Sequence, residues 1–119
     1  MNVLFVCVGN TGRSLMAKRL FRLAHGASHE VRSAGVMPGS RPEQAVVEAM
    51  AEVGVDVSDH IPTRFDDAAL AWADVAVAMF PELEWPITWP VPDPYGRPIE
   101  DVRAIRDEIA QRIETLELA

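Results

Sequence analysis

The chain has 119 residues, 49% of them hydrophobic and 24% charged, a length that suits one domain with its own buried core and is too short for two. Its single cysteine, Cys7, excludes an intramolecular disulfide, a CxxC redox pair and a thiolate zinc cluster. A net charge of −7 argues against sequence-independent binding of nucleic acid and against docking on an anionic membrane. No apolar run approaches the ~18–20 residues of a membrane span. The opening MNVLFVCVGN has no basic segment ahead of its apolar stretch, so the expected location is the cytoplasm.

Residues 2–8, NVLFVCV, form a nearly continuous apolar and β-branched run, the pattern of a central parallel strand covered on both faces. Gly9-Asn10-Thr11-Gly12 breaks it, and a helix is predicted from about Ser14, with Met16, Leu20 and Leu23 on one face and Gly26 as its stop. Residues 29–34 predict a second strand, and Pro38, Gly39 and Pro42 a loop. Ala45, Val46, Ala49, Met50 and Val53 predict a second amphipathic helix closed by Gly54. Asp66 or Asp67 caps a short helical turn through Trp72, and residues 75–79 predict a third strand. Six prolines between Phe80 and Pro98 predict loop, with a short strand at Ile87-Thr88-Trp89. Val102, Ile105, Ile109, Ile113 and Leu116 line one face of a final helix. This order implies an α/β domain spanning residues 1–119, with a four-stranded parallel sheet between helices.

The strongest local signal is Cys7-Val8-Gly9-Asn10-Thr11-Gly12-Arg13-Ser14, set between a predicted strand and a predicted helix. In an open α/β sheet ligands bind at the carboxyl ends of strands. A loop entering a helix there presents unpaired N–H groups and the positive end of the helix dipole, a setting for an oxyanion. Gly9 and Gly12 let the backbone curl so that its amides converge. Cys7 stands at the start of this nest, and the planar fork of Arg13 suits two oxygens of a tetrahedral anion. Taken singly these residues have plainer readings. A lone cysteine at a strand end packs as a small hydrophobe, and Asn10 is a turn residue. The three tryptophans, Trp72, Trp85 and Trp89, read as packing.

Cys7-x5-Arg13-Ser14 directly after the first strand resembles the low molecular weight protein-tyrosine-phosphatase family, whose fold and loop certain arsenate reductases share. The resemblance extends along nearly the whole chain. It includes Ser33-Ala34-Gly35, His60 after the second helix, Ala73-Asp74-Val75, Asp93-Pro94-Tyr95-Gly96, and the final helix, which is closest to that of arsenate reductases. It implies Cys7 as a nucleophile that forms a cysteinyl-phosphate, and Asp93 as the acid and then the base. Arg13 and the amides of residues 8–13 would hold the oxygens, giving Val8, Gly9, Asn10, Thr11 and Gly12 substrate-binding roles. Ser14 would hydrogen-bond the Cys7 sulfur, or else cap the helix. Ser33 and His60 would support the loop from behind, or else be a strand-end serine and a solvated histidine. Tyr95 would wall a flat phenyl group, or else pack in the core. Asp93 would otherwise be a turn former. No metal or cofactor is implied.

The chain departs from that family's pattern in three ways. Gly12 stands where many members carry a second loop cysteine. Phe80-Pro81-Glu82 supplies none of the further cysteines that thioredoxin-coupled arsenate reductases use. The segment before Asp93 is short, and Val36-Met37-Pro38 brings no aromatic wall after Ser33-Ala34-Gly35. The leading expectation is a hydrolase of phosphotyrosine or small aryl phosphates. The alternative is a single-cysteine arsenate reductase that borrows a small thiol such as mycothiol or glutathione. A third is an oxyanion-binding module without turnover.

Overall fold

The apolar run at the start of the chain forms β1 (Asn2–Cys7) in a computed structural model that describes residues 1–118. Val3 through Cys7 are all buried. Side chains alternate faces along a strand, so an unbroken buried run means that both faces of β1 are covered. β2 (Glu30–Gly35) pairs with one edge of β1 and β3 (Val75–Ala78) with the other, both parallel, with Val3 opposite Val31 and Val75.

Among the described residues the sheet therefore has three strands, where the sequence pattern predicted four. The expected fourth is reduced to one parallel bridge between Thr88 and Ala78. Ala78 N–H donates to Ile87 O at 3.0 Å and Trp89 N–H to Ala78 O at 2.7 Å. Pro86 and Pro90 bracket these three residues, and proline carries no ladder donor, so the pairing cannot extend.

α1 (Arg13–His25) covers β1 and β2, and α4 (Ile99–Thr115) packs on both α1 and α2 (Gln44–Ala51). The last helix presents Val102, Ile105, Ile109 and Ile113 to the core as its period requires. Leu23, expected on the buried face of α1, is 62% exposed, because residues 22–24 already project past the packed layer. Val53 lies beyond the end of α2, in a turn that closes through Gly54 at φ 79°. α3 (Asp67–Trp72) is capped by Asp66, whose side chain accepts from Ala69 N–H at 2.8 Å. Arg106 reaches from α4 to Ala49 O at 2.8 Å and to Glu52 at 2.9 Å, and Arg103 also grips Glu52. Hydrogen bonds from Arg103 and Arg106 lower the Glu52 pKa to about 2, so this tie between helices stays charged at neutral pH.

Trp89 packs in the core against Phe5 with ring centres 5.7 Å apart. Trp72 lies under the Arg32 guanidinium at 4.1 Å, and Trp85 meets Phe65 at 5.6 Å. All three tryptophans thus serve packing. Cys7 and Gly35 end adjacent parallel strands, and the segments that follow them meet at the carboxyl edge of the sheet.

Candidate active site

Between β1 and α1 the chain curls through residues 8–12, and its carbonyls are turned away from the centre of the curl. Val36 N–H donates to Cys7 O at 3.1 Å, Met37 N–H to Val8 O at 2.8 Å, Gly39 N–H to Gly9 O at 2.9 Å and Glu43 N–H to Thr11 O at 3.2 Å. The amides of Gly9, Thr11 and Gly12 have no hydrogen-bond acceptor among the described residues. The first turn of α1 adds N–H groups that no helix can satisfy internally. A strip of chain that ties off the carbonyls thus leaves a concave array of donors. Gly35 makes this approach possible. A Cβ there would lie 2.6 Å from Val8 O and 2.9 Å from Asn10 N.

Asn10 is the keystone of the curl. It is fully buried and left-handed, with φ 55°, a conformation asparagine tolerates better than most residues. Its Nδ2 donates to Ser14 Oγ at 2.8 Å and Ser33 Oγ at 3.0 Å. Its Oδ1 accepts from Thr63 N–H at 2.9 Å and from His60 Nε2 at 3.1 Å. Both donors and both acceptor sites of one amide are therefore used. His60 also reaches Asn10 O at 3.1 Å. Burial, then the nearby Lys18 charge, lower the His60 pKa, which favours a neutral ring whose Nε2–H donates to these two oxygens. Ser33 and His60 are thus partners of Asn10.

The buried Cys7 Sγ lies 2.9 Å from Ser14 Oγ and accepts from Asn10 N–H at 3.3 Å. Ser14 Oγ already receives the Asn10 amide. Its one proton has two acceptors, Cys7 Sγ at 2.9 Å and Ala34 O at 3.4 Å, and the closer one is the sulfur. The helix-cap alternative for Ser14 is excluded: Gly12 is the N-cap of α1, with no side-chain cap bond. Two donors are thus directed at one sulfur.

Cys7, Val8, Gly9, Thr11, Gly12 and Arg13 line a cavity of about 180 Å³ whose remaining wall is Glu43, Asp93 and Tyr95. Arg13 is 7% exposed, and its Nη1 is tethered to Met79 O at 3.2 Å and Val91 O at 3.3 Å. Its Nη2 faces Asp93 Oδ2 at 3.9 Å. Asp93 Oδ1 accepts from Tyr95 N–H at 3.0 Å, so the turn-forming role of this aspartate and its place at the cavity hold together. Tyr95 is 78% exposed, which excludes core packing. Sequence reasoning missed Glu43, Thr63 N–H and the carbonyls of Met79 and Val91. Main-chain groups leave no residue-type signature, and Glu43 comes from a loop with no spacing rule to Cys7. Among the described residues, no group of three or more His, Cys, Asp or Glu side chains is arranged to hold a metal ion.

Residues 2–85 match the sequence profile of the family described as low molecular weight phosphotyrosine protein phosphatase. Arsenate reductase 2 of Staphylococcus epidermidis is 32% identical over 124 aligned positions, covering 95% of this chain and 93% of that protein. A low molecular weight protein tyrosine phosphatase from T. tengcongensis superposes with a TM-score of 0.83 at 31% identity, covering 96% of this chain and 95% of that one. An arginine phosphatase from Geobacillus stearothermophilus superposes with a TM-score of 0.81 at 30% identity, covering 95% and 88%.

Proposed function

The chain belongs to the low molecular weight phosphotyrosine protein phosphatase family, and from that premise we propose that it hydrolyses aryl phosphates, phosphotyrosine among them, through a cysteinyl-phosphate on Cys7. One observation carries this reading above the others. The Cys7 sulfur, held by Asn10 N–H and Ser14, opens onto the same cavity as the Arg13 guanidinium and the Asp93 carboxyl.

In the first step the Cys7 sulfur attacks phosphorus opposite the leaving oxygen. The sulfur–phosphorus bond forms as the phosphorus–oxygen bond breaks, and Asp93 gives its proton to the departing phenolate. Arg13, the free amides of Gly9, Thr11 and Gly12 and the first turn of α1 hold the three equatorial oxygens throughout, while the Asn10 amide stays on the sulfur and not on the substrate. In the second step the Asp93 carboxylate takes a proton from water, whose oxygen attacks phosphorus. The sulfur leaves as thiolate and inorganic phosphate is released. Ser33 and His60 act only by fixing Asn10. Tyr95, exposed at the rim, offers its ring to the flat leaving group.

A second reading is favoured by the arsenate reductases among the relatives. Arsenate matches phosphate in shape and charge and fits the same donors. Its reduction needs two thiols; since Cys7 is the only one in the chain, the second would come from a small thiol such as mycothiol or glutathione.

Parallel assays on one preparation separate the readings. Hydrolysis of para-nitrophenyl phosphate without added thiol is the expected result. Arsenate turnover that requires a small thiol and a glutaredoxin-like reductant, with no hydrolysis, would establish the second reading instead. Phosphate binding with neither turnover would reduce the chain to an oxyanion-binding module.

A further inference from the structure

We propose that Glu43 is a specificity-determining residue of the Cys7 cavity, selecting leaving groups that carry a cation or a hydrogen-bond donor beside the phosphoryl group and rejecting those that carry an anion. The inference rests on the reading of that cavity as the substrate site. Glu43 immediately precedes α2 and lines the cavity with Cys7 and Arg13. Its side chain is half-buried and makes no cap bond to its own helix. Among the described residues, the one hydrogen bond its carboxylate receives comes from Thr11 Oγ1, at a long 3.4 Å. Among the described residues it forms no salt bridge; Arg41 and Arg97 share with it the two adjoining surface depressions, and Arg13 acts on it only through its charge. The carboxylate thus keeps acceptor capacity at the mouth of a site built for an anion.

The position is specified by the chain itself. A Cβ at residue 12 would lie 2.8 Å from Glu43 Oε2 and 2.7 Å from Cγ of the buried Pro94. Gly12 is therefore the residue that admits the carboxylate to the loop. Burial, and then the negative charge of Asp93, raise the Glu43 pKa, while Thr11 and Arg13 oppose the shift. A carboxylate whose charged form is disfavoured by burial gains from any donor or cation that a substrate brings. Behind the phosphoryl group, Glu43 gives the leaving-group side of the cavity a negative charge, opposite in sign to its floor, while Asp93 carries the proton it will donate.

The probes are three phenylphosphonates that differ only in a meta substituent: aminomethyl, hydrogen or carboxylate. Because Cys7 is the only cysteine, the rate of its alkylation by iodoacetamide reads occupancy of the cavity whether or not the protein turns over. The wild type is expected to bind the aminomethyl compound about tenfold more tightly than the carboxylate compound, the effect of one like or unlike charge a few ångströms away in a wet site. In Glu43→Gln, which keeps the shape and the Thr11 contact, that ratio is expected to fall to about twofold. Equal protection by the charged pair in the wild type, or an undiminished ratio in Glu43→Gln, would overturn the proposal. Hydrolysis of para-nitrophenyl phosphate, followed in the same samples, reports separately on the phosphatase reading. Its failure beside a clear charge preference would remove turnover and leave the selectivity standing.

Discussion

Cys7→Ser lowers the turnover of an aryl phosphate by about 10⁴-fold or more, while the protein stays folded and still binds inorganic phosphate. The nucleophile alone is changed. A serine hydroxyl at this position has no base to activate it: the contacts to Cys7 come from Asn10 N–H and Ser14, and both of those also serve the loop. The oxygens of the substrate are held by groups the substitution leaves in place, namely the amides of the curl and the tethered Arg13 guanidinium. Steady-state kinetics with para-nitrophenyl phosphate and competition by inorganic phosphate read the two quantities apart. Activity within tenfold of the wild type would transfer the reaction from the sulfur to a water molecule activated at Asp93.

Gly35→Ala is the most damaging conservative change away from the reacting atoms. The added methyl meets Val8 O at 2.6 Å and the Gly9 carbonyl carbon and Asn10 N at 2.9 Å, all main-chain atoms of the curl. None of them can swing aside as a side chain would. Gly35 is itself fixed on both sides, with Gly35 N–H bound to Thr63 O and Phe65 N–H bound to Gly35 O, each at 2.8 Å. The conflict therefore displaces the loop. Overpacking of this kind costs about 1–3 kcal/mol. A shift of about 1 Å in the donor array costs on the order of 100-fold in kcat/KM. Gly39→Ala is the matched comparison. There the methyl meets Thr11 Cγ2 at 2.8 Å, the tip of a side chain, and the effect is correspondingly smaller. Urea denaturation and aryl phosphate kinetics on the two variants give the comparison, and equal effects would show that the close approach at Gly35 is not what shapes the curl.

Gly35 also illustrates what the sequence makes legible. Ser33-Ala34-Gly35 stands out as a pattern, but only the packing of the curl against it gives the glycine its reason. The buried strand β1 and the last helix α4 are readable because their burial is continuous or periodic along the chain. The same holds for the loop from Cys7 to Ser14, whose residue types lie side by side. The fourth strand misled because Ile87-Thr88-Trp89 has strand composition, while the prolines on either side limit it to a single bridge. Leu23 kept the helical period past the point where α1 leaves the core. The side chains of the candidate site, with Ser33 and His60 behind the loop, can be picked out of the sequence, whereas its main-chain supports cannot. Arg13 is aimed by two carbonyls and Asn10 by the Thr63 amide, and the wall that Asp93 shares is completed by Glu43. Each of these partners is distant in sequence, and all but Glu43 act through the main chain.

The covalent intermediate is the most direct test. In Asp93→Asn the first step remains feasible with para-nitrophenolate, a leaving group that needs no protonation, whereas the second step loses its base. Rapid denaturing quench during turnover, followed by peptide mass analysis, is predicted to find one added phosphoryl group on the peptide that contains Cys7. A phosphoryl group on any other residue, or continuing hydrolysis with Cys7 never phosphorylated, would contradict the account.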